Sequence, residues 1–156
     1  MTHEELVLIG KKYMSQSIRC NPILVDPKCP HVEAPIGIIG WKLDISYGGV
    51  YTLSSYRIVV QTSKKSFNAD KRAQSITPVG LGQHRYYLMP KGIISKADLP
   101  KGWGLLEYNP ETKKVTKSKA AAELDRVGEI ERKEGLVLRS ALQNQAGREH
   151  GTNAEH

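Results

Sequence analysis

The segment Lys42–Val60, KLDISYGGVYTLSSYRIVV, most constrains the fold. Leu43, Ile45 and Tyr47 alternate with polar residues, which is the period of a strand with one buried face. Gly48-Gly49 supplies a tight turn, since glycine takes positive φ without steric cost. The longest strand of the chain then returns through Tyr56, Ile58 and Val60. An isolated hairpin is marginal in water. Further strands and at least one helix are therefore expected to close over its apolar face.

The flanking sequence supplies them. Thr2, with Glu5 three residues on, is a capping box. Leu6, Ile9, Tyr13 and Met14 fall on one helical face, which predicts a helix from Glu4 to about Ser17. Ile23-Leu24-Val25 reads as a short strand between prolines, and Ile36, Ile38 and Ile39 as a loop becoming a strand. KKSFNADKRAQS fits a helix or a loop, and ITPVGLGQH a glycine-rich loop. RYYLMP is a strand bounded by Pro90. KGIISKADLPKG is a turn with one short helical segment, and WGLLEYNPETKKVTKS two strands about a turn at Asn109-Pro110. From Lys119 the pattern changes. Leu124, Val127, Ile130, Val137 or Leu138, and Leu142 follow helical spacing, interrupted by Gly128 and Gly135. The expected organisation is a domain over 1–118, a helical extension over 119–145 and a disordered tail over 146–156. The fold class is α/β, with a mixed central sheet flanked by helices and an extra C-terminal helix.

Several function classes are excluded early. Cys20, Cys29 and His31 give a C-x8-C-x-H pattern, but no second pair completes four zinc ligands. There is no G-x-S-x-G elbow and no P-loop. No apolar run approaches the roughly 20 residues that span a bilayer. Together with an acidic N-terminus, this predicts a cytoplasmic protein. The net charge of +7 is uneven. Residues 1–119 hold 18 Lys and Arg against 9 Asp and Glu, whereas 120–156 hold 5 against 7. A basic body of this kind attracts polyanions, nucleic acid first among them.

The order of motifs carries a resemblance. HEEL at His3–Leu6 and RC at Arg19–Cys20 come first, followed by Glu33, Pro35, Gly40 and Trp41. SKKSFNADK at Ser63–Lys71, HRYYLMP at His84–Pro90 and LPKGWGLL at Leu99–Leu106 complete the series. Over residues 3–108 the chain resembles a bacterial and phage family of PD-(D/E)XK nuclease-like proteins. The resemblance implies a restriction-endonuclease-like core. It also implies an aspartate after Pro35, and an E-V-K strand before SKKSF. Here the aspartate position falls on Ile36 or Gly37, and E-V-K falls on Val59-Val60-Gln61.

The family chemistry uses two carboxylates to hold Mg²⁺, which takes oxygen ligands, and a lysine to orient the attacking water. With Gly37, Val59 and Gln61 at these positions, the resemblance implies a site without catalytic residues and a chain that needs no metal cofactor. The remaining route to activity is a relocated Mg²⁺ site drawing on Glu5, Glu33 and Asp44, with Lys64 or Lys65 in place of the lysine. The basic groups are retained. Lys64, Lys65, Lys71, Arg72, His84 and Arg85 are the expected phosphate contacts, to DNA or RNA or a nucleoprotein. Tyr86, Tyr87 and Trp103 alternate as core residues rather than as stacking platforms. The 119–145 helix is a second candidate surface, for a protein partner. By family analogy alone that suits a phage or mobile-element inhibitor of a host defence complex, acting in the host cytoplasm.

Overall fold

The computed structural model describes residues 1–28, 35–46, 48–76, 80–124 and 131–143. Cys29, His31, Glu33 and the expected tail over 146–156 lie outside the described residues.

Helix α1 (His3–Tyr13) starts at the predicted capping box: Glu5 N donates to Thr2 Oγ1 and Thr2 N to Glu5 Oε2. It widens into a π-helical turn over Met14–Ile18. The strands follow as β1 (Ile23–Val25), β2 (Ile38–Ile45), β3 (Tyr51–Val60), β4 (His84–Pro90), β5 (Gly104–Asn109) and β6 (Lys114–Lys119). Helix α2 (Lys64–Ile76) lies between β3 and β4, and helical backbone also covers 131–143. The sheet order is β1-β2-β3-β4-β5-β6. The β3–β4 and β4–β5 pairs are parallel and the rest antiparallel. The fold is thus a mixed six-stranded sheet flanked by three helices. Among the described residues no helix is long and apolar enough to cross a membrane.

Alternation along β3 sorts the core into two faces. Ile58 and Val60 pack with Leu6 and Met14 on the α1 side. Val59 packs on the other side with Phe67 of α2, Tyr87 and Trp103, which are buried as expected. On that same side Ile39 and Trp41 meet Val137 of the 131–143 helix. The helix therefore closes over the chain's own sheet. Its buried Glu134 anchors it, accepting from Gly82 N at 2.8 Å and Ser55 Oγ at 3.1 Å.

The loop-or-helix ambiguity at KKSFNADKR is decided by a local cap and one anchor. Ser63 Oγ accepts from Ser66 N at 3.1 Å, which satisfies an otherwise orphaned donor of the first turn. Phe67 is fully buried and meets the Tyr87 ring edge-on at 4.8 Å.

Candidate functional site

Antiparallel pairing of Ile38 with Ile58 carries Gly37 to the end of β3, beside Val59. Gly37, Val59 and Gln61 all line one cavity of about 240 Å³ there. His3 of α1, Asp26 after β1 and Asp70 of α2 also stand in its wall. Gly37 has φ +86°, and a Cβ there would lie 2.6 Å from Ile58 O. The backbone thus admits no side chain at this position, an aspartate included. The alternative position, Ile36, is 2% exposed and belongs to the core cluster with Trp41 and Val137.

Two carboxylates that sequence reasoning missed stand in the same wall. Asp26 has φ +42°, a conformation Asp tolerates when its side chain bonds locally. It clasps Gly37 in both directions: Asp26 N donates to Gly37 O at 2.7 Å, and Gly37 N to Asp26 Oδ1 at 2.9 Å. Asp70 Oδ2 accepts from Tyr87 OH at 2.5 Å. Burial, reinforced by that carboxylate, pushes the Tyr87 phenol far above its usual range, so it remains a donor. The only sequence signals were the turn VDP after a strand and an acid inside FNADKR.

The three family positions do not supply a Mg²⁺ site: Val59 and Gly37 offer no ligand and Gln61 only an uncharged amide, while Asp26 and Asp70 each hold a structural partner through one carboxylate oxygen. Among the described residues, no three His, Cys, Asp or Glu side chains converge as a metal-binding group. Of the other acids considered for a relocated site, Glu33 lies outside the described residues, and Glu5 and Asp44 are elsewhere. Glu5 is exposed and closes the α1 cap. Asp44 is six residues along β2 from Ile38, roughly 20 Å of strand, and pairs with Lys42 at 3.5 Å.

Behind the cavity, on the α2 face, lies Arg57, which is 0% exposed. Its Nε donates to Ile36 O at 2.6 Å, and its guanidinium carbon stands 5.6 Å from the centroid of the Trp103 ring. Among the described residues neither Nη atom has a hydrogen-bond partner. Burial brings its pKa down to about 10, against the opposing pull of Asp70.

The six predicted phosphate contacts do not form one rim. Lys64, Lys65 and Arg72 are exposed on α2, and Lys64 and Lys65 occupy its first turn. Lys71 is held inward, its Nζ donating to Asp98 O at 2.5 Å. Arg85 clamps the preceding loop through Gly82 O at 2.9 Å and Gly80 O at 2.7 Å. His84 faces the α1 side, stacked on Tyr56 with ring centroids 4.5 Å apart. Burial pushes its imidazole below the ordinary range, so it is neutral near pH 7. Because β4 runs parallel to β3 with His84 beside Tyr56 and Arg85 beside Arg57, the two stand about 13 Å and about 10 Å back from the end of β3.

No family model matches the sequence, and neither does any curated protein. Among solved structures, the chain is similar to the SPO1766 protein of unknown function from Silicibacter pomeroyi. The two are 14% identical and superpose with a TM-score of 0.63 over 99% of this chain and 94% of that one. The likeness is one of fold.

Proposed function

We propose that the chain is a catalytically silent protein of the PD-(D/E)XK, restriction-endonuclease-like class that binds nucleic acid. The observation that carries this reading is the meeting of Gly37, Val59 and Gln61 in one cavity at the end of β3. They are the three positions at which the motif order expects two acids and a lysine. Their meeting in one hollow is what a former metal site requires, and it supports that register. Binding is supported by Lys64 and Lys65, placed in the first turn of α2 beside Gln61. The backbone N–H groups of a helix's first turn are themselves positive and favour phosphate.

Electrophoretic mobility shift at about 50 mM and about 200 mM salt tests binding, since phosphate contacts make affinity fall steeply with salt. The reading expects a salt-sensitive shift that Lys64→Glu with Lys65→Glu weakens. A shift that ignores both salt and these substitutions argues against it. Incubation of plasmid and single-stranded DNA with Mg²⁺ or Mn²⁺ tests silence. Cleavage that disappears in Asp26→Asn, Asp70→Asn or Glu33→Ala establishes a relocated active site and overturns this reading.

A further inference from the structure

A one-sidedly basic concavity lies away from β3's end, between α1 with its π-helical turn and the β5–β6 edge of the sheet. Two hollows adjoin there, sharing Tyr13 and Ser17 in their walls. The first, about 510 Å³, carries Lys12, Lys113 and Lys114. The second, about 350 Å³, carries Lys42 and Lys117. No Asp or Glu lines either hollow among the described residues. Lys42 is paired with Asp44, and Asp44 and Glu123 act on His84 at the far end, so the positive field is strongest at the first hollow.

The placement of these lysines is built into the chain. Asn109 Oδ1 accepts from Glu111 N at 2.9 Å and Asn109 O from Lys113 N at 2.8 Å. That turn delivers Lys113 and Lys114 to the start of β6. Lys117 shares the α1-side face of β6 with Val115, whereas Lys114, one residue before Val115, alternates to the opposite face. The floor is aromatic: Tyr108 in the first hollow, and the half-buried Tyr56–His84 stack in the second. Tyr13 stands between them. Unpaired lysines gathered without carboxylates repel one another and favour a polyanion. Narrow aromatic concavities admit bases only when those bases are unpaired.

We propose that this groove binds single-stranded nucleic acid, with phosphates along Lys12, Lys113 and Lys117 and bases against Tyr13 and the Tyr56–His84 stack. The proposal does not depend on the β3 cavity being a former nuclease site.

The test is fluorescence anisotropy with labelled oligo-dT and oligo-U of about 16 nucleotides, a length at the upper end of single-strand sites. Wild type is compared with Lys12→Glu/Lys113→Glu/Lys117→Glu and with a charge-matched control, Lys91→Glu/Lys96→Glu/Lys101→Glu. All six lysines are exposed, and circular dichroism verifies folding. If the groove triple fails to fold, the Lys→Gln triple replaces it. The expected result is at least about a tenfold loss for the groove triple, with the salt slope reduced by roughly 2 at about 0.7 per phosphate contact. The control should change affinity less than about threefold. The proposal is overturned if wild type does not bind, if the two triples lose equally, or if duplex DNA or polyglutamate binds as tightly as the single strand. If only Lys64→Glu/Lys65→Glu abolishes binding, the groove assignment falls while nucleic-acid binding by the protein stands.

Discussion

Arg57→Met should leave the protein as stable as wild type or more so. The guanidinium is fully buried, both Nη atoms are without a partner among the described residues, and its pKa stands near 10 rather than 12.5. At about 1.36 kcal/mol per pK unit, holding the charge there costs about 3 kcal/mol. Methionine keeps the stem volume and a sulfur contact with Trp103. It loses the bond from Nε to Ile36 O, which offsets about 1–3 kcal/mol by orphaning a buried carbonyl. The net change is therefore about 0 to +2 kcal/mol. The sign with pH follows from linkage. The folded pKa is below the unfolded one, so the penalty is fully present below pH 10. It fades as pH rises towards 12.5, because the unfolded state holds the proton longer. Any advantage of the methionine variant should accordingly narrow above about pH 10. Urea denaturation of both proteins measures this, with Arg57→Ala as the cavity-forming control that should destabilise. If Arg57→Met instead loses more than about 2 kcal/mol, the charge is compensated and the reasoning is wrong, because breaking a satisfied buried ion is what costs 3–5 kcal/mol.

Gly37→Ala and Gly37→Asp should both destabilise by at least about 2 kcal/mol, because the obstacle is the Cβ against Ile58 O at positive φ rather than the charge. A neutral Gly37→Ala in urea melts would show that the family aspartate was never sterically barred. Glu134→Ala should cost about 2–3 kcal/mol by orphaning Gly82 N and the Ser55 hydroxyl. It should also speed proteolytic cutting near the 131–143 helix, and unchanged digestion would mean that Glu134 is not the anchor. Burial pushes the Cys20 thiol up to about 12, so thiolate is scarce at pH 8. In a Cys29→Ser background, a thiol reagent should label native protein at least about a hundredfold more slowly than urea-unfolded protein; rapid native labelling would contradict the burial.

Elements whose signal is local periodicity were legible in the sequence. The Thr2–Glu5 cap, the RYYLMP strand and the Asn109-Pro110 turn stand where alternation and turn chemistry place them. The hairpin about Gly48-Gly49 also forms, but Leu43 and Ile45, whose alternation predicts a buried face, are 59% and 67% exposed, because the hairpin's tip extends past the helices that cover the sheet. What was not legible depends on the second face of the sheet. Reading Tyr56, Ile58 and Val60 as the apolar face assigns Arg57 to the polar one. In the fold α2 and the 131–143 helix cover that face, and Arg57 is sealed beneath Trp103. Helix α2 itself has Phe67 as its single buried side chain, too little periodicity to separate helix from loop. The candidate cavity was legible in its erased positions, because motif order fixes register. Its surviving acids were not, because Asp26 and Asp70 reach it from β1's end and from α2 by pairings that no local pattern encodes. His84 and Arg85 are adjacent in sequence, yet alternation sends them to opposite faces.

The placement of charge on α2 separates its role in binding from its role in the fold. The first turn contains Lys64 and Lys65 and no acid, the reverse of what stabilises a helix N-terminus. Two lysines there cost on the order of 0.3–1 kcal/mol each against acidic alternatives. The Ser63–Ser66 cap and buried Phe67 hold the helix despite that cost. A sequence shaped only for stability places Asp or Glu at these positions, as α1 does with Glu4 and Glu5. The two helices of one chain thus treat the same physical position oppositely. The one that departs from the stable choice stands beside Gln61, at the mouth of the cavity from which the carboxylates of the resemblance are missing. Asp26 and Asp70 still stand in the wall of that cavity, so the positive charge that favours phosphate comes from the first turn of α2 and not from the hollow itself. On the proposed reading, phosphate is therefore met at the lysines and backbone N–H groups of that helix N-terminus.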